Sequence, residues 1–408
     1  MRKHWKRTLA LLGVVAATGL VCAAVALGGK KPPAPPPEPP QATVSYEITF
    51  LGMDGEATDV NNRGEVVGHA YIEGVLCAFL VVPEDIDDDG LPDLWYRDVD
   101  DDEINDLMVL LNDLVDPAEG WDLFHAYAIN DAGQIVGRDY LDGQERAFRF
   151  TPGVGGAWAV VDNLGTLGEA TNSGALGINE SGDVVGGSPF LYMDDGGFLW
   201  TEEDGIMVDI GSLVEGGRTE ARGINNSGWV TGFSYIFTYT PHAFLYTPDG
   251  GMEDLGDFGA SRGTGRSLGL DINVHGHVAG WAGNLPRIKG TSSEHAFLYT
   301  DHMIDLGTLG GYDSQGHGLN SWDEVVGTSE VSTADTTLHG FLYTNKTTDP
   351  DPTKFVMVKL QDRLVNPEDV QGPIGARRIN DDGVICGAAG TATWVGRGGV
   401  AIVLTPLP

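Results

Sequence analysis

One short acidic stretch has the residue types and the spacing needed to bind a hard metal cation. Residues 85–93 read DIDDDGLPD, which fits the pattern D-x-D-x-D-G-x-x-D. Calcium takes about six to eight oxygen ligands, which alternate carboxylates and one backbone carbonyl can supply around a glycine turn. The pattern therefore predicts a calcium site in this stretch. Its ligand and turn positions are Asp85, Asp87, Asp89, Gly90, Leu91 (through its carbonyl) and Asp93.

The acidic stretch departs from a complete calcium loop at its end. Its twelfth position is Tyr96, where such loops carry a bidentate glutamate. Asp98, Asp100 or Asp102 would have to supply the missing oxygens, since the affinity would otherwise fall. A second acidic run over 98–106 has Glu103 in place of the glycine, which weakens it as an independent site. A solvated acidic loop without metal is the alternative.

The first run resembles the front of an EF-hand-type calcium loop. The two runs together resemble the acidic calcium repeats of exported bacterial and thrombospondin-type proteins. This resemblance implies that calcium orders the whole insertion at 83–106. Export of the protein would place this insertion in a calcium-rich environment.

A ten-residue phrase such as GINESGDVVG (177–186) recurs along the chain and is the main clue to the fold. Its asparagine recurs at intervals of 69, 49, 46, 48, 47 and 60 residues. Periods of this length are typical of propellers, solenoids and other repeat arrays. The seven asparagines are Asn61, Asn130, Asn179, Asn225, Asn273, Asn320 and Asn380.

Each repeat has the pattern of four short strands. An asparagine followed three residues later by glycine favours a type I turn between two strands. In the sixth copy Asp323 replaces the glycine, and aspartate also tolerates the left-handed region. An aromatic run such as HAFLYT (242–247) and a shorter run such as MIDLGTLGG (303–311) supply a third and a fourth strand.

Four strands in each of seven units predict an all-β fold, a β-propeller of seven four-stranded blades. The last unit has a hairpin at 375–390 and a third strand at 400–406 but no fourth. The run YEITFLG (46–52) would complete that blade and so remove two exposed sheet edges. A three-stranded prism or a β-solenoid is the alternative architecture.

The repeats resemble the extracellular HAF repeat family, named for motifs such as His242-Ala243-Phe244 and His295-Ala296-Phe297. The resemblance covers roughly residues 46–406. It implies an exported bacterial protein built of repeated β units, and it carries over no catalytic residue. We expect the repeated asparagines and the histidines (His242, His295 and His339) to be structural.

The N-terminal residues predict export. A basic start is followed by 21 uncharged residues at 8–28, so residues 1–29 form either a signal peptide or a membrane anchor. A Pro-rich linker follows at 30–45, and the repeat domain extends over 46–408. Beyond the leader only Cys77 and Cys386 remain, either as a disulfide or as two small buried residues.

The composition limits the partners. With 24 Lys+Arg, 59 Asp+Glu and a net charge of -35, the chain does not suit nucleic acid. We expect a monomer that binds an extracellular polysaccharide or protein. Loop aromatics at Trp281 and Tyr235 are the candidate ligand contacts.

Three functions are compatible with the sequence. The first is a non-enzymatic, calcium-stabilised binding module at the cell surface. The second is a carbohydrate-active hydrolase or lyase that uses carboxylates of the central channel. The third is a scaffold without a small ligand.

Overall fold

The computed structural model describes most of the repeat domain. The described ranges are 44–88, 90–101, 104–154, 157–188, 196–237, 240–259, 265–286, 292–346, 354–390 and 399–407. The leader predicted at 1–29 lies outside them, as does the linker predicted at 30–45 except for its last two residues. Within these ranges, no helix has the length and apolar character needed to cross a membrane.

The described ranges fold into β-strands joined by turns and loops. In chain order the first strands are β1 (Tyr46–Val60), β2 (Val66–Ile72), β3 (Val75–Val81), β4 (Met108–Leu110), β5 (Trp121–Asp122), β6 (Ala126–Ile129), β7 (Ile135–Leu141), β8 (Gln144–Thr151) and β9 (Val160–Asn163). They are followed by β10 (Gly174–Ile178), β11 (Val184–Ser188), β12 (Gly196–Trp200), β13 (Met207–Asp209), β14 (Thr219–Ile224), β15 (Val230–Phe237), β16 (Thr240–Thr247), β17 (Gly251–Gly256), β18 (Ser267–Ile272) and β19 (Val278–Pro286). The last are β20 (Ser292–Tyr299), β21 (Met303–Asp305), β22 (Ser314–Leu319), β23 (Val325–Glu330), β24 (Leu338–Thr344), β25 (Val356–Lys359), β26 (Ile374–Ile379), β27 (Ile385–Gly390) and β28 (Gly399–Pro406). Short 3-10 helices lie at Leu111–Leu114, Pro117–Glu119, Leu360–Arg363 and Pro367–Asp369.

The strands form antiparallel sheets of one repeated design. Strands β10–β13, β14–β17, β18–β21 and β22–β25 each make a four-stranded sheet in chain order. Strands β6–β9 make an equivalent sheet, to which the two-residue β5 adds by pairing with the end of β7. The all-β class and the four-stranded unit predicted from the sequence are therefore confirmed.

The long first strand joins the two ends of the described chain. Residues Tyr46–Phe50 of β1 pair with β28, and the residues from Asp54 to Val60 pair with β2. A register shift between Phe50 and Asp54 separates the two halves. The seven-stranded sheet β26-β27-β28-β1-β2-β3-β4 is thus two four-stranded units that share one bent strand. This is the pairing that the sequence predicts for residues 46–52.

Each repeated asparagine closes a hairpin turn as predicted. In the first unit the Gly64 N–H donates to the Asn61 carbonyl at 3.0 Å, and Gly64 has φ +72°. The Asn61 Oδ1 accepts the N–H groups of Arg63 (3.0 Å) and Glu65 (2.9 Å). In the sixth unit Asp323 takes the glycine position with φ +63°, so the predicted tolerance of aspartate there is confirmed.

The asparagine side chains also link each sheet to the next. The Nδ2 group of each donates to the backbone carbonyl of the asparagine in the following unit. The distances are 3.0 Å (Asn61 to Asn130), 3.0 Å (Asn130 to Asn179), 3.2 Å (Asn179 to Asn225), 2.9 Å (Asn225 to Asn273), 3.1 Å (Asn273 to Asn320), 3.2 Å (Asn320 to Asn380) and 2.9 Å (Asn380 to Asn61). These bonds form a closed cycle, which we call the asparagine ring. The seven asparagines are buried.

The aromatic residue of each third strand fills the space between neighbouring sheets. The phenylalanines of six units are fully buried, and Ile402 takes this position in the unit of β28. They are Phe79, Phe148, Phe198, Phe244, Phe297 and Phe341. The repeated glycine of the second strand faces this ring: a Cβ on Gly186 would lie 2.9 Å from Phe198 and 1.9 Å from the Gly174 carbonyl oxygen. This crowding explains why the phrase ends in glycine.

Cys77 and Cys386 are both buried free thiols. Burial raises the pKa of both. The structure therefore agrees with the interpretation of two small buried residues rather than a disulfide.

Candidate functional site

The predicted calcium loop brings three aspartates together. Carboxylate oxygens of Asp85, Asp87 and Asp93 all lie within 4.8 Å of one another, and the three residues are exposed. The Asp85 carboxylate also accepts the Gly90 N–H at 2.8 Å, which holds the loop in its turn. Three carboxylates at this spacing suit a hard cation such as calcium.

The other predicted ligands of this loop have mixed outcomes. Asp89 lies outside the described residues. Leu91 lies in the loop with an exposed side chain. Among the described residues, Asp98 and Asp100 are not members of the group formed by Asp85, Asp87 and Asp93.

Asp98 and Asp100 instead belong to a second loop of the same shape. The Ile86 N–H donates to the Asp93 carboxylate at 2.8 Å, and 13 residues later the Val99 N–H donates to Asp106 at 2.8 Å (86 to 99, 93 to 106). Asp88 (φ +58°) and Asp101 (φ +60°) are left-handed at equivalent places. The insertion is therefore a tandem of two similar loops, although Glu103 interrupts the second pattern.

A buried tryptophan fastens this tandem to the asparagine ring. Trp95 is 2% exposed, and its Nε1 donates to the Gly64 carbonyl at 2.8 Å. Asn105 donates its side-chain N–H to the Trp95 carbonyl at 2.8 Å. A side chain on Gly64 would clash with Pro92, 2.6 Å away, and crowd Trp95. Any ion that orders these loops would therefore also brace the first hairpin.

The repeated histidines are held within their own sheets. His242 Nδ1 lies 2.8 Å from Asp254 Oδ1, and His295 Nδ1 lies 2.9 Å from Asp305 Oδ1. His339 Nδ1 lies 3.2 Å from the side-chain oxygen of Gln361. The His of the third strand thus pairs with a polar residue in the fourth strand or just after it, which is a structural role.

The two predicted ligand aromatics are not loop residues. Trp281 lies in β19 and is only 9% exposed, so its assignment to an exposed loop is wrong. Its strand position places it among the buried residues between sheets. Tyr235 lies in β15, half-buried, with the Arg218 guanidinium 5.3 Å from its ring centroid.

The structure reveals a group of charged residues that the sequence analysis did not select. They occupy the position two residues before a repeated asparagine. In four units this position holds a small uncharged residue, which is Ala128, Gly177, Gly223 or Gly318. In the other three it is Asp59, Asp271 or Arg378. The Arg378 Nε lies 3.8 Å from Asp59 Oδ1 and 3.8 Å from Asp271 Oδ2. We call these three residues the inner triad.

The inner triad is enclosed by the first strands of the units. Its side chains keep only 14% (Asp59), 19% (Asp271) and 21% (Arg378) of their surface. Asp59 accepts the Ile129 N–H at 2.9 Å, and Asp271 accepts the Leu319 N–H at 3.0 Å. Each aspartate thereby tethers the next unit.

Burial determines the protonation of the inner triad. It raises the pKa of Asp59 to about 7, although Arg378 opposes the shift. Burial also raises the pKa of Asp271, again against the effect of Arg378. One guanidinium therefore does not fully compensate two buried carboxylates.

A second polar group lies beside the inner triad on the same first strands and their neighbours. Arg377 pairs with Glu56, and Arg222 pairs with Glu220 at 2.6 Å. The ring centroids of His69 and His125 lie 5.6 Å apart. The His125 ring stacks with the Tyr127 ring at a centroid distance of 6.0 Å. Burial raises the pKa of Tyr127, and Arg138 and Arg222 oppose the shift. The two ion pairs and the three rings form what we call the polar rim.

A signal for both groups exists in the sequence. When the seven phrases are aligned on their asparagines, the positions two and three residues earlier vary between small, apolar and charged residues. Charge at a position that is glycine in other copies marks Asp59, Asp271 and Arg378.

Comparisons with known proteins give little guidance. No family model matches the chain, and no curated protein matches its sequence. Similar solved structures include the crystal structure of TolB from Acinetobacter baumannii, with 11% identity and a TM-score of 0.35. That match covers 57% of this chain and 50% of TolB, so the chain spans half of the length of TolB. A likeness at this score carries no conclusion about fold or function.

Proposed function

We propose that the chain is an exported, calcium-stabilised β-propeller of seven four-stranded blades that acts as a non-enzymatic binding or scaffold module at the cell surface. Its partner is an extracellular polysaccharide or protein, and it acts as a monomer. The repeats are of the HAF type in this proposal.

The closed cycle of asparagine bonds supports the seven-bladed arrangement. In addition, the first strand of each unit contacts the first strand of the next, from β1 through β6, β10, β14, β18 and β22 to β26, which contacts β1 again. Full closure leaves no wide open sheet edge between units, and propellers manage their edges in this way. The first strands then line a central channel.

Calcium in the insertion is supported by the donor set. Asp85, Asp87 and Asp93 would hold the ion, and Asp98, Asp100 and Asp106 would form the equivalent second set. An ion would supply charge compensation for a strongly acidic loop and would order it. Through Trp95 the same ion would stabilise the first hairpin.

The observation that favours a binding module is that many polar side chains are bonded to other groups of the protein. The side chains of the repeated asparagines and the Nδ1 atoms of the repeated histidines make their hydrogen bonds within the fold. Among the described residues, Glu56, Glu220, Asp59 and Asp271 each lie beside an arginine. An arginine that pairs with a carboxylate fixes its position and occupies its oxygens, which leaves the carboxylate less free to act on a substrate.

A carbohydrate-active hydrolase or lyase remains the second candidate. It is favoured by one observation, the raised pKa of Asp59, because a carboxyl that keeps its proton near neutral pH can serve as a general acid. In this alternative the channel carboxylates would carry the reaction.

The test is a retention assay on insoluble polysaccharides. The full chain in its exported form is incubated in calcium with cellulose, chitin, xylan and a cell-wall preparation. Retention on at least one of them supports the binding module. A protein that stays in solution with all of them and also fails to bind the surface of intact cells contradicts it.

A further inference from the structure

We infer that the polar rim is a binding site for a neutral saccharide at the open end of the central channel. This inference rests on the proposed binding function and assigns that function to particular residues. It concerns residues that lie away from the calcium loops, which are fastened to the asparagine ring.

The rim residues come from several units and interact across them. Tyr127 belongs to the second repeat and Arg222 to the fourth. The positive charge of Arg222 nevertheless acts to lower the pKa of Tyr127. Arg377 and Glu56 similarly join the last repeat to the first, and both act on His69. The last, first and second repeats are thus joined by an ion pair and a ring contact, and Arg222 of the fourth repeat lies within electrostatic reach of Tyr127.

A buried histidine lies beside the rim, at the same repeat position as Tyr127, Arg222 and Arg377. His317 is 3% exposed, its Nδ1 lies 2.9 Å from the Ala376 carbonyl oxygen, and the adjacent Arg378 donates to the His317 carbonyl. The inner triad and then the asparagine ring follow along the first strands. The rim therefore lies at one end of a series of buried polar groups.

The hydrogen-bonding groups of the rim are incompletely used. His69 Nδ1 and Arg222 Nε are buried atoms without a hydrogen-bond partner in the described part of the protein. Such atoms are costly unless a ligand or water satisfies them. Hydroxyl groups of a ligand are the partners that we infer for these two atoms.

The charge of the rim determines the ligand class. Arg377 is balanced by Glu56 and Arg222 by Glu220, so neither an anion nor a cation gains from the site as a whole. Planar pairs of donors and acceptors suit vicinal hydroxyls, which donate and accept together. The stacked rings of His125 and Tyr127 offer a flat surface for the apolar face of a sugar. A neutral saccharide combines these properties.

The test measures oligosaccharide binding to the full-length protein by titration calorimetry. The probes are cellohexaose, xylohexaose, chitohexaose and maltohexaose, with oligogalacturonate as the acidic comparison. Arg222→Met and Tyr127→Ala remove rim groups. Arg63→Met is the matched control, because Arg63 pairs with Glu65 at the asparagine ring and its side chain is 52% exposed.

We expect at least one neutral hexaose to bind, with a tenfold or greater loss in Arg222→Met and no change in Arg63→Met. The imidazole NMR signals of His69 and His125 should shift on binding, while that of the exposed His302 stays in place. Equal binding by Arg222→Met and wild type, or binding of oligogalacturonate alone, overturns the inference. If intact cells or insoluble polysaccharide retain the protein and no hexaose binds, the rim site is refuted while the proposed function stands.

Discussion

Removal of Arg378 alone should be far more damaging than neutralisation of the whole inner triad. At 3.8 Å and an effective dielectric constant of about 20, each Arg378–Asp contact is worth about 4 kcal/mol before desolvation and Asp–Asp repulsion are subtracted. Loss of one partner from a buried ion pair typically costs about 3–5 kcal/mol, because the remaining charge stays buried. We expect this loss of unfolding free energy for Arg378→Met at pH 8.

The triple variant Asp59→Asn, Asp271→Asn, Arg378→Met should regain most of that loss. Asparagine keeps an acceptor for the N–H groups of Ile129 and Leu319, and no charge is left buried. Four other units already have Ala or Gly at this position, so the fold does not need charge there.

The pH dependence of the unfolding free energy gives a second check, on the single variant Arg378→Met. The folded pKa of Asp59 lies above its unfolded value, so the native state binds the additional proton and stability falls as pH rises toward about 7. Without Arg378 both aspartates should protonate more readily, so the deficit of Arg378→Met should be smaller at pH 5.5 than at pH 8.

Urea unfolding followed by tryptophan fluorescence measures these differences. A loss of less than about 1 kcal/mol in Arg378→Met at pH 8 would refute the reasoning, because two unpaired buried carboxylates should cost more than that. A triple variant as unstable as the single one would refute it equally.

Three further predictions follow from the repeats and the insertion. EDTA should lower the melting temperature by about 2–4 °C. Asp87→Asn should abolish this difference, and the exposed control Asp301→Asn should preserve it. An unchanged melting temperature in EDTA would contradict a calcium site. Asn225→Asp should cost about 1–3 kcal/mol, since it removes the donor to the Asn273 carbonyl; an equal effect of the exposed control Asn226→Asp in urea unfolding would argue against the ring. Burial opposes but Asp254 raises the pKa of His242, so this pair stabilises the fold below about pH 6.5 and the benefit fades as pH rises through the raised pKa. His242→Gln should therefore cost about 1 kcal/mol more at pH 5.5 than at pH 8.5, and a pH-independent effect would contradict the ion pair.

The repeat pattern alone predicts much of the fold. The Asn–Gly spacing predicts the hairpins and even the left-handed Asp323, because turn geometry depends on local residues. Pairing of residues 46–50 with β28 follows from counting strands and avoiding exposed edges. Sequence could not reveal that the asparagine amides bond across units, because that contact depends on how the sheets pack.

The candidate site was predictable only in part. The acidic spacing of 85–93 depends on local geometry and predicts the grouping of Asp85, Asp87 and Asp93. Trp281 was misplaced, since a long aromatic-containing segment reads as a loop although its first residues extend a strand. The inner triad and the polar rim unite residues more than 300 positions apart, such as Glu56 and Arg377, which no local pattern brings together.

The most direct test of the central claim is whether the protein cleaves a polysaccharide to which it binds. Reducing ends and unsaturated sugars released from that polymer are measured over many hours with the full chain in calcium. We predict retention without released product, as a binding module requires. Steady release that is lost in Asp59→Asn or Glu56→Gln would contradict the account and show that the channel carboxylates are catalytic.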